Sequence, residues 1–134
     1  MLHLTKVAFG AESLDSLVDA LERRSATGQL ALTTRYLPKR HEEISGLGSL
    51  FWILKHQLIA RSPITGFGEA DGGRVSILLG SPTVRVVPQP RRAHQGWRYL
   101  EAADAPPDLD TALAADGAAL PAALAGDLSA LGLI

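Results

Sequence analysis

The sequence predicts an α+β domain: a small, mostly antiparallel β-sheet, open or closed on itself, with one helix early in the chain and another at its C-terminal end. Three observations carry that expectation. About six short segments have the alternating, β-branched or aromatic character of strands, and Gly, Pro and Asp turns separate them. Helical spacing of apolar residues shows only near residues 14–21 and after residue 119. At 134 residues the chain is long enough to bury roughly two-thirds of its unfolded surface around a single core.

The elements follow in order. LHLTKVAF places Leu2 and Leu4 on one face of a first strand, which Gly10 closes. Ser13 is placed to cap a helix whose Leu14, Leu17, Val18 and Leu21 share one stripe. Asp15 suits its first turn, Arg23 and Arg24 suit its end, and Gly28 stops it. QLALTTRYL reads as a second strand that runs into the polar loop PKRHEEISGLG. SLFWILKHQLIARSPITGF fits either a short helix or two strands around a turn at Lys55–Gln57, and its aromatic and β-branched content favours strands. ADGGR is a tight turn, RVSILL a strand, GSP a turn, and TVRVV a strand with Arg85 toward solvent that Pro88 should end. The whole of 1–134 is read as one domain. Residues 1–100 form the body, 101–110 an acidic, proline-containing linker, and 111–134 a Leu/Ala-rich helical segment with Pro121 in its first turn.

Composition narrows the chemistry. The chain has no cysteine, so disulfides and thiolate metal sites are excluded. No basic leader precedes a long apolar run, and no stretch approaches the eighteen or so apolar residues of a membrane span, so a cytoplasmic, soluble protein is expected. His3, His41, His56 and His94 are scattered without helical metal-ligand spacing, and Glu42–Glu43 is a loop pair whose side chains diverge, so neither a metal site nor an acid/base dyad is predicted. Glycines in GLG (46–48) and GFG (66–68) lack the context of a phosphate loop and read as turns, and neither Ser45 nor Ser49 stands in a nucleophile elbow. No catalytic motif is found and no cofactor is expected.

What remains is basic and aromatic. Residues 1–34 carry a net charge of −1, residues 35–98 of +6 and residues 99–134 of −6, an asymmetry that points to an anionic partner for the middle segment. Within it, TRYLPKRH and PRRAHQGWRYL combine arginines, rings, histidine and a stiffening proline. Arg35, Lys39, Arg40, Arg91, Arg92 and Arg98 are candidates for phosphate contacts, Trp97 and Tyr99 for stacking, and His94 and Gln95 for base edges. The alternative leaves Trp97 and Tyr99 in the core with solvated arginines around them. The acids of the linker, Glu101, Asp104, Asp108 and Asp110, are expected to lie over Arg91, Arg92 or Arg98 and to compete there with a polyanion.

GSLFWILKHQLIARSPITGF, PRRAHQGWRYLEAADAPPDL and the leucine-rich ending resemble an uncharacterised proteobacterial family, a domain of unknown function of about this length. The resemblance covers nearly the whole chain and implies no activity. Where that family is expected to carry an Arg-Gln pair in its fourth strand, this chain has Arg61-Ser62. In its order of helix, short strands and basic loops the chain also resembles the PUA-like barrels, including ASCH and EVE domains. That likeness implies a β-barrel and binding of RNA or modified bases. Two functions therefore stand: a nucleic-acid-binding domain, RNA above DNA, without catalysis, or an enzyme or receptor for a small phosphorylated or carboxylated metabolite that uses the same arginines around a pocket.

Overall fold

The computed structural model describes residues 2–8 and 10–110. The expected C-terminal helix over 111–134 lies outside them. Seven strands and one α-helix succeed one another as β1 (Leu2–Val7), α1 (Leu14–Thr27), β2 (Leu30–Thr34), β3 (Ser49–Leu54), β4 (Gln57–Glu69), β5 (Val75–Leu79), β6 (Val84–Pro90) and β7 (Trp97–Glu101). They form one mixed sheet in the order β2-β5-β4-β3-β1-β7, with β6 also paired to β4. All pairings are antiparallel except β1 with β3.

The helix forms for the reasons its sequence gives. Ser13 Oγ accepts from the Ser16 amide and Ser16 Oγ accepts from the Ser13 amide, a reciprocal cap that satisfies two otherwise orphaned donors. Leu17 and Leu21 point inward. The ambiguous middle segment is two strands. Lys55 and His56 both take positive φ, 51° and 63°, as a two-residue hairpin turn demands to match the twist of its strands.

β4 organises the sheet. Its first half pairs with β3 on one side and β6 on the other, and beyond Ile64 it pairs with β5. Cross-strand registers put Leu2, Leu4, Leu50, Trp52 and Ala60 on one face, where they pack with Leu17 and Leu21 of α1 and with Leu30, Ile64, Ile77 and Leu79. Phe51, Ile53, Leu58, Val86 and Leu100 pack on the opposite face with Val7 and Ala105. Burial of each such side chain contributes about 1.5–3 kcal/mol.

Three expectations are corrected. The sheet does not close into a PUA-like barrel: among the described residues its end strands β2 and β7 are each paired on one side alone. Loop backbone before Ser49 instead continues the β3–β4 ladder in the middle of the sheet, with the Gly46 amide donating to Ile64 O and the Ile64 amide to Gly48 O, both at 3.0 Å. Pro88 does not end β6, which runs to Pro90. It falls at the register shift between the Leu58–Gln89 and Ala60–Arg85 pairs, the kind of irregularity where a missing amide is tolerated. Finally, the charged QGWRYL segment supplies the seventh strand, β7, held at the sheet edge by β1. Arg85 is exposed as expected, and its guanidinium meets Asp15 of α1 at 2.6 Å.

Candidate functional site

The two basic-aromatic segments meet at the β7 edge. Alternation along β7 turns Trp97 and Tyr99 to the α1 face of the sheet, opposite Lys6 and Leu4 of β1, and Arg98 to the other face, opposite Thr5. The two rings touch edge to face, 5.0 Å between centroids, and both are half-buried against the helix-side core. The reading that places the rings in the core is met in part: both pack against it and neither is fully enclosed.

Arg40 reaches them from the 35–48 loop. Its amide donates to Tyr99 Oη at 3.1 Å and its guanidinium lies 5.7 Å from the Tyr99 ring centre. That guanidinium is already occupied, by Glu43 through Nε and Nη2 at 2.6 and 2.8 Å and by Glu101 through Nη1 at 3.0 Å. Arg35 and Lys39 precede Arg40 in the chain and are exposed.

A second group lies where β1 ends and β7 begins. His94 Nε2 is 2.7 Å from Thr5 Oγ1 and its Nδ1 is 3.3 Å from Gln95 O. Partial burial holds its pKa below the ordinary 6.5, and Arg98, Lys6 and Arg91 add to the depression. Gly96, at φ 67°, makes the turn that brings His94 back over β1. The Arg91 amide donates to His56 O at 2.8 Å, tying this group to the Lys55–His56 hairpin turn. Arg91 Nε is buried without a partner. Arg92, Gln95 and Arg98 are exposed. Nothing in the motif PQPRRAHQGWRYL pointed to Lys6, Lys55 and His56 as neighbours, because strand pairing alone brings them in.

Two acids of the 101–110 segment are placed differently from expectation. Glu101 belongs to Arg40. Asp108 grips Arg61 of β4 through both carboxylate oxygens, at 2.7 and 2.8 Å, while Arg61 Nη1 donates to Ser49 Oγ at 2.9 Å. The Val87 amide donates to Pro107 O at 2.9 Å, and Pro106 is buried, so residues 105–108 form a strap docked on the face away from α1. The overlooked residue was Arg61. Its signal was present in IARSPI, since a cation inside an apolar strand has to find a partner.

The titrating groups set a pH dependence. His3 is buried, its Nδ1 accepts from the Ser49 amide at 2.9 Å, and burial, with Arg61 nearby, lowers its pKa. Asp108 is lowered by its hydrogen bonds from Arg61, and Glu43 by those from Arg40. In each case the folded state binds a proton less readily than the unfolded chain, so stability rises with pH through the affected range. The fold should weaken as pH falls below the ordinary histidine value of 6.5, and again as it falls below the ordinary carboxylate values of 4.5 and 3.8. Urea melts across pH 8 to 3 would show this, and a flat profile between 7 and 5 would contradict the assigned environments of His3 and His94.

Among the described residues no three His, Asp or Glu side chains gather as a metal site, and no helix is long and apolar enough to cross a membrane. No curated protein and no solved structure matches the chain. A family model described as a protein of unknown function, DUF1489, matches residues 4–134, which carry both the Arg61–Asp108 strap and the basic edge, and the chain belongs to that family.

Proposed function

We propose that the protein binds nucleic acid, RNA above DNA, along the edge formed by β7, the 91–96 loop and the Lys55–His56 turn. One observation carries the proposal. Arg91, Arg92 and Arg98 have no carboxylate partner among the described residues, whereas the nearby acids Glu101 and Asp108 are held by Arg40 and Arg61. Cations gathered without counter-charges favour a polyanion, whose phosphates release condensed counterions as they are neutralised. Arg35 and Lys39 are exposed in the same segment that carries Arg40 to Tyr99 and add to its positive charge. The exposed parts of the Trp97 and Tyr99 rings offer stacking area, and His94 and Gln95 precede them in the chain for base contacts.

Surface binding is favoured over a pocket for these residues, because Arg35, Lys39, Arg40, Arg92, Gln95 and Arg98 are all exposed. A small anion is the second reading, favoured by a cleft of about 480 Å³ between α1 and the sheet where Lys6, Arg23 and Arg24 border the apolar Leu17, Leu21 and Trp52.

Binding of a short single-stranded RNA should weaken as salt rises, with a log–log slope of about −0.7 per phosphate contact, and the R91A/R98A double variant should flatten that slope by about 1.4. Arg74→Ala, in the exposed turn before β5, should leave it unchanged. A salt-independent affinity, or a slope that both variants leave alone, would remove nucleic acid from this surface.

A further inference from the structure

The face of the sheet away from α1 holds a cavity of about 470 Å³ lined by His3, Phe51, Arg61 and Asp108, with Pro106 and Pro107 of the strap. Its volume falls within the range of sites for small organic ligands, roughly 300–1,000 Å³. The side chains in it are specified more narrowly than their number suggests.

His3 is 7% exposed, and its ring is fixed edge to face against Phe51, 5.0 Å between centroids. Its Nδ1 accepts the Ser49 amide proton. A nitrogen that accepts carries no hydrogen, so the neutral ring must keep its proton on Nε2. Burial and the Arg61 charge keep the ring neutral at physiological pH. Nε2 has no hydrogen-bond partner among the described residues, and the His3 side chain lines the cavity. His3 therefore presents a fixed, uncharged N–H donor and has no free lone pair with which to act as a base.

Asp108 supplies the complement. Arg61 Nε and Nη2 occupy two of its acceptor positions, and an ionised carboxylate has about four. The bidentate pair also cancels the charge of both partners, so the cavity exerts little net pull on an ion of either sign. Phe51 and the two prolines add flat apolar wall. The cavity is thus uncharged and partly flat-walled, with one rigid donor and one open acceptor.

We propose that this cavity binds a planar, uncharged ring carrying a carbonyl beside an N–H, the lactam or imide edge of uracil- or hypoxanthine-type bases. The carbonyl accepts from His3 Nε2–H and the ring N–H donates to Asp108. The site stands apart from the cationic edge and needs no phosphate. Such a ring can arrive as a free nucleoside or as a base turned out of an RNA strand, and the chemistry at His3 and Asp108 is the same for both.

The test uses the full wild-type chain, so that no substitution has to fold. Long-range proton–nitrogen correlation of the imidazoles, well above the histidine titration range, should show His3 as the Nε2–H tautomer. Uridine should shift its Nε2 resonance saturably. N3-methyluridine, which keeps the carbonyls but has lost the N–H, should bind about tenfold more weakly, the worth of one hydrogen bond to a charged acceptor. A uridine-containing oligonucleotide that shifts the same resonance at lower concentration than uridine places the ligand in a strand, and equal or weaker binding places it free. R91A/R98A should leave the uridine response intact, so failure of the cationic edge and failure of this cavity read out separately. His3 protonated on Nδ1, no saturable shift up to ~10 mM uridine, or equal binding of the methylated analogue would each overturn the proposal.

Discussion

Gly48→Ala should be among the most damaging single substitutions in this protein, costing about 3 kcal/mol or more, the upper range for overpacking. A methyl group at Gly48 would overlap the carbonyl oxygen of Leu2, a backbone atom of β1 that cannot swing aside as a side chain can. The neighbouring geometry leaves no slack. The Gly48 amide donates to Ile44 O at 2.7 Å, and the next amide, that of Ser49, is fixed on His3 Nδ1. Gly46 is the comparison. It has open space around it and positive φ, 72°, so Gly46→Ala should cost only about 1 kcal/mol of backbone strain. Thermal melts of the two variants should differ by several degrees, at roughly 4 °C per kcal/mol for a domain of this size. Equal melting temperatures would refute the close approach.

Trp52→Ala should cost about 3–5 kcal/mol, as expected when a buried indole is removed and its space only partly refills. Trp52 is 4% exposed and central to the face that meets α1. It also anchors a polar chain: Nε1–H donates to Ser62 Oγ at 3.0 Å, Ser62 Oγ lies 3.3 Å from Thr83 Oγ1, and the Thr83 amide donates to Glu22 of α1 at 2.9 Å. Trp52→Phe keeps most of the packing and removes only the donor. Ser62 retains Thr83, so this variant should recover more than half of the loss. If Phe proves as damaging as Ala in denaturant melts, the hydrogen-bonded chain outweighs the packing. Ser62 thereby has a structural task, satisfying a buried indole N–H.

Local features were legible. Ser13 and Gly28 bounded α1, and the chemistry of FWIL and IARSPI favoured strands, because caps and side-chain shape act within a few residues. What lay beyond reading was pairing across the chain. Nothing in LHLTKV announces that it will lie parallel to SLFWIL, and Asp108 lies 47 residues from the Arg61 it binds. The same limit blurred the candidate edge. Trp97, Arg98 and Tyr99 were found by composition. That alternation sends Trp97 and Tyr99 to one face and Arg98 to the other follows from β7 being a strand, which its charges concealed. His3 and Ser49 were set aside as a lone histidine and a lone serine, and only the parallel β1–β3 pairing makes them neighbours.

The place of β1 has a consequence for the order of events during synthesis. The hairpin of β3 and β4, with β5 and β6 added, can assemble from the continuous stretch Ser49–Pro90, each strand meeting a partner soon after it is made. β1 is made before the other described strands, yet its partners β3 and β7 begin at Ser49 and Trp97. A segment whose first four residues are buried in the finished sheet therefore waits for its second neighbour until β7 has been made. Such distant closure slows folding and lengthens the exposure of sticky surface. A nascent chain stalled before Trp97 should accordingly recruit chaperones through Leu2 and Leu4, and should release them once β7 has emerged.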